Sequence, residues 1–171
     1  AVWQTSFAAS NVLRLNLTDA LSSNPAAWNS TAPTSSVFSV GTDTITNNNG
    51  TTYVAYCFAA IAGYSAFGSY TGNFSSDGPF VYTGFRPKFI MFKNSNTTDN
   101  WFLMDATRSP YNIVSLELYP NLSAAEGTDP KFDMLSNGFK IRAATSTING
   151  SGNSIIYMAF AESPFKYANA R

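Results

Sequence analysis

The sequence contains no histidine and a single cysteine, Cys57. Histidine is the side chain that most often acts as general base, metal ligand or switch near neutral pH, so its absence removes the usual means to all three. One cysteine excludes an internal disulfide and a metal site built from several thiolates. A free cysteine is usually a small buried hydrophobe, and we expect Cys57 to be buried.

Charge is scarce as well. Charged residues make up 12% of the chain, and ten Lys and Arg balance ten Asp and Glu; an ordinary domain has about 25%. The charges are scattered singly, without the basic stripe that a phosphate backbone requires, so we expect no nucleic-acid partner. No window approaches the roughly 18 consecutive apolar residues of a membrane helix, and we expect no membrane insertion.

Short apolar or alternating runs separated by Gly, Asn, Pro and Ser clusters predict strands rather than helices. The best helix candidate, residues 22–28, is interrupted by Pro25. Residues 88–93 and 101–105 flank a polar loop, which predicts a hairpin covered on both faces. The clearest strands are residues 12–17, 37–40, 53–60, 80–82, 88–93, 101–105, 113–118, 138–142 and 154–161.

The chain also repeats itself. A shift of 101 residues places residues 12–17 on 113–118 and residues 37–40 on 138–141, and a shift of 102 places residues 50–59 on 152–161. The last pair matches on both faces of a strand, which fixes register as well as burial. In that pair Val54, Tyr56 and Phe58 correspond to Ile156, Met158 and Phe160.

We therefore predict two related copies, residues 1–65 and 66–171, in one unit over residues 1–171. Residues 53–60 and 154–161 should be central strands, buried on both faces. The counterpart of the hairpin arm near Trp101 would fall before residue 1. The first copy is therefore expected to be truncated and the chain to be a fragment of a longer protein, extended at its N-terminus.

Six segments, taken in order, resemble a domain of large structural proteins of tailed bacteriophages, especially marine ones, of the tail or tail-fibre-like type. The resemblance implies a virion component at the particle surface or outside the cell. The resemblance implies no catalytic residues. In longer relatives the region lies toward the C-terminus. The segments are WNSTAPTSSVFSVG (28–41), TYVAYCFA (52–59), GSYTGN (68–73), YTGFRP (82–87), LSNGFKIR (135–142) and YMAFAESPF (157–165).

Catalysis would require reactive side chains that the sequence does not pair. A glycosidase needs two carboxylates about 5 to 10 Å apart. The candidates nearest predicted strands are Asp105, Glu117, Asp133 and Glu162, and ordinary solvation at strand ends explains them. No Gly-x-Ser-x-Gly elbow is present. We expect no enzyme activity and no cofactor.

Two polar loops, residues 47–50 and 75–78, offer oxygen ligands for calcium but lack the EF-hand spacing, so we expect turns and no metal site. Glycosylation triplets begin at seven asparagines, which composition alone explains. In a bacterially expressed phage protein these would carry no glycan. They are Asn16, Asn29, Asn49, Asn73, Asn96, Asn121 and Asn149.

Aromatic residues form 15% of the chain. Those in predicted loops could stack on sugars or fill a subunit interface. Packing in the core or at an interface is favoured over a glycan-binding platform. They are Tyr64, Phe67, Tyr70 and Tyr111.

These observations predict an all-β, mainly antiparallel β-sandwich with two pseudo-equivalent halves. We expect a virion structural protein, tail-fibre-like or on the particle surface, that acts by assembly or host-surface adhesion. Its partners would be other virion proteins, further copies of itself and host-surface glycans. A secreted lectin-like carbohydrate-binding module is the alternative, and a tail-associated polysaccharide depolymerase comes third.

Overall fold

The computed structural model describes residues 1–162 of the chain. Their strands are β1 (Asn11–Val12), β2 (Ser22–Ser23), β3 (Ser65–Thr71), β4 (Phe80–Tyr82), β5 (Pro87–Asn94), β6 (Phe102–Asp105), β7 (Val114–Leu118), β8 (Gly127–Leu135), β9 (Gly138–Ile141) and β10 (Ser154–Ala161). Their one-turn helices are α1 (Pro25–Trp28), α2 (Thr44–Asn47) and α3 (Ser146–Asn149).

Eight of the strands form one antiparallel sheet in the order β3-β10-β5-β6-β7-β8-β9-β4, which nearly closes into a barrel. β1 and β2 form a separate small sheet. The predicted all-β, mainly antiparallel class is therefore confirmed. The hairpin is confirmed too, because β5 and β6 pair with Phe89 opposite Asp105 and Phe92 opposite Phe102. β10 lies between β3 and β5, as predicted for a central strand.

The inner face of this sheet packs on itself. Ile155 and Ala159 of β10 are fully buried there. They share this core with Phe92, Phe132 and Phe139, whose rings meet edge to face with centroids 5.2 to 6.0 Å apart. Because side chains alternate along a strand, β10 turns Ile156, Met158 and Phe160 to the opposite, outer face.

The N-terminal segment covers part of that outer face. Phe7 and Leu13 form a second core with Trp101 and Ile156. The indole N–H of Trp101 donates to the carbonyl of Arg14 at 3.0 Å. Two backbone hydrogen bonds, from Leu21 to Ser95 and from Asp99 to Thr18, add to the attachment at 2.8 Å each. The sheet is thus buried on both faces where residues 1–21 lie on it.

Local turns overturn two predicted strands in the first copy. Only the beginning of residues 12–17 is a strand, because the chain turns back where Leu17 N–H donates to the Arg14 carbonyl. Residues 37–40 form no strand, since Thr34 and Val37 close a tight turn and leave Val37 65% exposed. Pro25 does not interrupt a helix but begins α1, where a proline lacks no needed hydrogen bond.

The prediction for residues 53–60 was wrong. The segment forms no strand, all of it is exposed, and Cys57 is exposed rather than buried. The reason lies in the partners. β10 already occupies the place between β3 and β5 to which this pattern corresponds.

The repeat is nevertheless present just before this segment. α2 and α3 are 102 residues apart and have the same length. The Asn47 side-chain amide donates to the Gly41 carbonyl at 2.7 Å, and the Asn149 amide donates to the Ala143 carbonyl at 2.9 Å. The glycines that follow have the same left-handed φ of 74°. The two copies therefore share this turn and diverge after it, one into solvent and one into the sheet.

Candidate functional site

The most unusual surface of the protein lies where charge is absent. Residues 44–76 contain no charged side chain and no proline. They include the exposed segment 51–61, in which Val54 is 77%, Tyr56 82% and Phe58 59% exposed. They also include β3, an edge strand of the large sheet. We call segment 51–61 together with the free edge of β3 the uncharged surface.

An aromatic cluster holds one end of segment 51–61 on the outer face of the sheet. The Phe160 ring of β10 lies at its centre, and four other rings have centroids 5.9 Å from it. The Ser65 hydroxyl also donates to the Ala59 carbonyl at 2.9 Å. Residues 58–61 are therefore anchored at one end of the segment. At the other end the Tyr53 hydroxyl donates to the Thr44 carbonyl at 2.5 Å and the Thr51 N–H donates to the Asn48 carbonyl at 3.1 Å. The four rings around Phe160 belong to Phe58, Tyr64, Phe67 and Phe89.

The free edge of β3 is open to a further strand. Ile61 and Ser65 exchange two backbone hydrogen bonds, at 2.9 and 3.1 Å, on the side of β3 away from β10. Because alternate residues of an antiparallel strand direct their backbone groups to opposite edges, Phe67, Ser69 and Thr71 direct theirs to this side. No described strand pairs with them there. Natural proteins guard such edges with lysine or proline, and this edge has neither.

The charged groups elsewhere largely neutralise one another. Of the eight lysines and arginines among residues 1–162, seven form ion pairs. The eighth, Lys93, is buried and donates to the carbonyls of Asn94 and Thr97. The described residues therefore offer few unpaired cations for long-range Coulomb attraction to a charged partner. The pairs are Arg14–Asp19, Arg86 and Lys88 with Glu162, Arg108 with Asp105 and Glu126, Lys131 with Glu117 and Asp129, Lys140–Asp77, and Arg142–Asp133.

The four carboxylates considered for catalysis all belong to these ion pairs. Asp105 accepts from the Arg108 side chain at 2.6 Å; burial raises the pKa of Asp105, but the hydrogen bonds from Arg108 outweigh it and the net shift is downward. Asp133 accepts from Arg142 at 2.6 Å, and Glu162 from Arg86 at 2.8 Å. Glu117 is paired with Lys131.

Glu117 lies in a buried network between β7 and β8. Its carboxylate is 3.3 Å from the ammonium of Lys131 and accepts a 2.5 Å hydrogen bond from the Tyr119 hydroxyl. That hydrogen bond, with burial, raises the pKa of Tyr119 to about 12. The ammonium of Lys131 also lies 5.3 Å from the Phe102 ring centroid. The network pairs a buried cation with a buried anion, which is a structural arrangement.

The two loops considered for calcium use their side chains for turns and ion pairs. Asn47 donates to Gly41, and Asp77 is paired with Lys140 at 2.8 Å. The Lys140 hydrogen bond holds the pKa of Asp77 below its usual value. Within residues 1–162, no group of three or more His, Cys, Asp or Glu is placed to hold a metal. Of the glycosylation triplets, the one at Asn149 begins at a fully buried side chain.

The four aromatic residues considered for binding lie in three different parts of the structure. Tyr70 belongs to the core, where its hydroxyl donates to the Ile148 carbonyl at 2.6 Å and burial raises its pKa. Tyr64 and Phe67 belong to the aromatic cluster. Tyr111 is 84% exposed at an open groove of about 340 Å³. The groove is lined in part by Arg108, Ser109, Asn112 and Ile113.

The comparisons with known proteins give a family and no function. A family model described as a domain of unknown function (DUF7483) matches residues 1–164. No curated protein and no solved structure matches the chain. Among residues 1–162, the helices are all too short to cross a membrane. The last three residues of the segment 157–165 that entered the phage resemblance lie outside the described residues.

Proposed function

Since this chain belongs to the DUF7483 family of domains of unknown function, we propose its function from its surface: it is a structural module that docks onto other polypeptides through the uncharged surface. The sequence resemblance to structural proteins of tailed bacteriophages supports a virion protein, tail-fibre-like or on the particle surface. It acts by assembly, by host-surface adhesion, or by both. Its place is the virion surface or the extracellular medium.

The exposure of segment 51–61 carries this proposal. Monomeric soluble proteins rarely leave a large contiguous apolar patch in water, and such patches mark interaction sites. Val54, Tyr56 and Phe58 are each more than half exposed, and their segment ends at Ile61, which pairs with Ser65 of the edge strand β3. Fully covering one large apolar side chain stabilises a complex by about 1.5 to 3 kcal/mol. A partner that covers the uncharged surface would therefore form a substantially more stable complex.

The charge distribution supports the same mechanism. Because the cations of residues 1–162 are paired or buried, contacts with a partner must come from hydrogen bonds and apolar packing. Such contacts persist in salty water, where Coulomb attraction is screened within about 10 Å. The hydroxyl-rich, uncharged composition suits a rigid module that works outside the cell.

A secreted lectin-like module is the second candidate, and Tyr111 is the observation that favours it. An exposed aromatic ring beside a groove with Arg108 and Asn112 can stack on a sugar and hydrogen-bond its hydroxyls. A polysaccharide depolymerase has no comparable support, because the four candidate carboxylates are occupied by cations.

A glycan array distinguishes the two candidates. For a module that works by assembly with polypeptides, we expect no glycan above background for the wild-type chain or for Tyr111→Ala. Saturable binding of one glycan class that Tyr111→Ala abolishes would replace the proposal with the lectin function. The variant should keep the wild-type circular dichroism spectrum, since Tyr111 is exposed.

A further inference from the structure

We infer that residues 53–57 become a β-strand by adding to the free edge of β3 in a second copy of this chain, and that the two copies do so reciprocally. This inference rests on the proposed assembly function and names the partner. We call residues 51–57 the arm.

The structure itself shows what a sequence like the arm forms when partners are present. Its counterpart is β10, which pairs over seven residues with β3 and over seven with β5. Both segments follow the same one-turn helix and a glycine with φ of 74°. The arm therefore has the apolar alternation of a central strand, but neither of its edges has a strand partner in the described residues.

The arm cannot add to β3 of its own chain without losing an anchor. Continuing the ladder from the Ile61–Ser65 pair would place Ala59 opposite Phe67 and turn Phe58 to the other face. Phe58 instead lies on the outer face, with its ring 5.8 Å from Phe67 and 5.9 Å from Phe160. With Phe58 held there, the ladder cannot continue into residues 53–57 of the same chain, and these exposed residues are available to another molecule.

A second copy fits the open edge in length and in charge. The free part of β3, from Phe67 to Thr71, has five residues, as does the segment 53–57. Both lie in residues 44–76, which carry no charge, so two copies do not repel each other. Each chain has one arm and one edge, and a twofold exchange uses both in a closed dimer. A standard stable interface buries about 800 Å² per partner, and a reciprocal exchange adds two arms and two edges to one interface.

Sedimentation velocity over a range of concentrations tests the arm. We expect the wild-type mass to rise from 18.5 kDa to about twice that value and no further. Val54→Lys should weaken dimerisation more than tenfold. A lysine in the exchanged strand would either bury its charge or admit water to the interface, and both oppose strand pairing. Val37→Lys is the matched control, since Val37 is an exposed valine outside the uncharged surface, and it should dimerise like wild type.

Mixing two defective variants tests the exchange itself. Ser69→Pro removes an N–H from the free edge of β3 and should also prevent dimerisation; Ser69→Lys serves if the proline variant loses its circular dichroism spectrum. Val54→Lys keeps a good edge and Ser69→Pro keeps a good arm. An equimolar mixture should therefore form heterodimers through one arm and one edge, although neither variant dimerises alone.

Four results would overturn the inference: a wild-type chain that stays at 18.5 kDa at every concentration, growth beyond a dimer, equal effects of Val54→Lys and Val37→Lys, or no heterodimer in the mixture. Association that survives Val54→Lys would leave the assembly function standing and reject only the strand exchange. Glycan binding that Tyr111→Ala abolishes, from a chain that stays at 18.5 kDa at every concentration, would reject the assembly function.

Discussion

Replacing Trp101 by alanine is expected to lower the free energy of unfolding by about 3 to 5 kcal/mol. The indole is only 1% exposed and packs with Leu13 and Ile156 in the second core. Its N–H donates to the Arg14 carbonyl, which is left with only the longer 3.3 Å hydrogen bond from the Leu17 N–H. The large effect arises because this one side chain joins the N-terminal segment to the outer face of the sheet.

Urea denaturation followed by circular dichroism measures this change, and Trp28→Ala is its control. The Trp28 indole also donates to a backbone carbonyl, that of Asn11 at 3.1 Å, but the side chain is only half-buried. We expect it to cost clearly less. Trp101→Phe, which keeps most of the packing, should lose about 1 kcal/mol for the hydrogen bond. Equal losses for Trp101→Ala and Trp28→Ala would contradict the attachment of residues 1–21 to the sheet.

Asn149→Ala should cost about 3 kcal/mol, because three backbone groups lose the partner that this one side chain supplies. The Asn149 amide donates to the carbonyls of Ser75 and Ala143, at 2.7 and 2.9 Å. Its carbonyl oxygen accepts from the Asn73 N–H at 2.9 Å. The side chain is fully buried, so water cannot replace these bonds readily. The turn before β10 and the loop after β3 depend on it together.

The repeat supplies the matched control, Asn47→Ala. Asn47 makes the corresponding bond to Gly41 but is exposed, so we expect a loss of about 1 kcal/mol or less. Asn149→Asp should cost at least as much as Asn149→Ala, since it keeps the acceptor for Asn73 but places a carboxylate oxygen against the carbonyls of Ser75 and Ala143. Thermal and urea unfolding of the three variants give the comparison. If Asn47→Ala destabilised the chain as much as Asn149→Ala, the buried bonds would not be the cause.

The parts of the fold that could be predicted from sequence are those that local pattern determines. β5, β6 and β10 have continuous apolar runs, and their hairpin and central positions followed from that pattern. β8 gave no such signal, because it contains Pro130 and the charged residues Lys131 and Asp133. Lys131 is buried there with Asp129 and Glu117 as partners, and the contact with Glu117 forms between separate strands.

Residues 53–60 show the opposite case, in which a strong strand pattern is not enough. Their sequence matches β10 on both faces, but β10 takes the place between β3 and β5, and Phe58 is held on the outer face instead of entering a ladder with the free edge of β3. Pattern within the chain reports neither of these tertiary contacts. The same limit explains Cys57, whose burial was inferred from its place in that pattern. The uncharged surface itself had one sequence signal, the absence of charge and proline from residues 44–76.

In the candidate site, Tyr64 and Phe67 could be named as interface candidates from sequence, because they are aromatic residues in predicted loops. Their partners in the cluster could not, because Phe89 and Phe160 come from strands far away in sequence. The open edge of β3 was also beyond prediction. β3 has a glycine and several small residues, so its pattern is weak, and its edge position depends on the order of all eight strands.

Hydrogen–deuterium exchange at the amides of residues 53–57 tests the central claim most directly, namely that these residues are a strand in the assembled protein and not in the single chain. We predict rapid exchange in dilute solution and slow exchange at concentrations where the chain has doubled its mass, together with protection of Ser69 and Thr71. Rapid exchange of residues 53–57 at every concentration, with the mass doubled, would contradict the account.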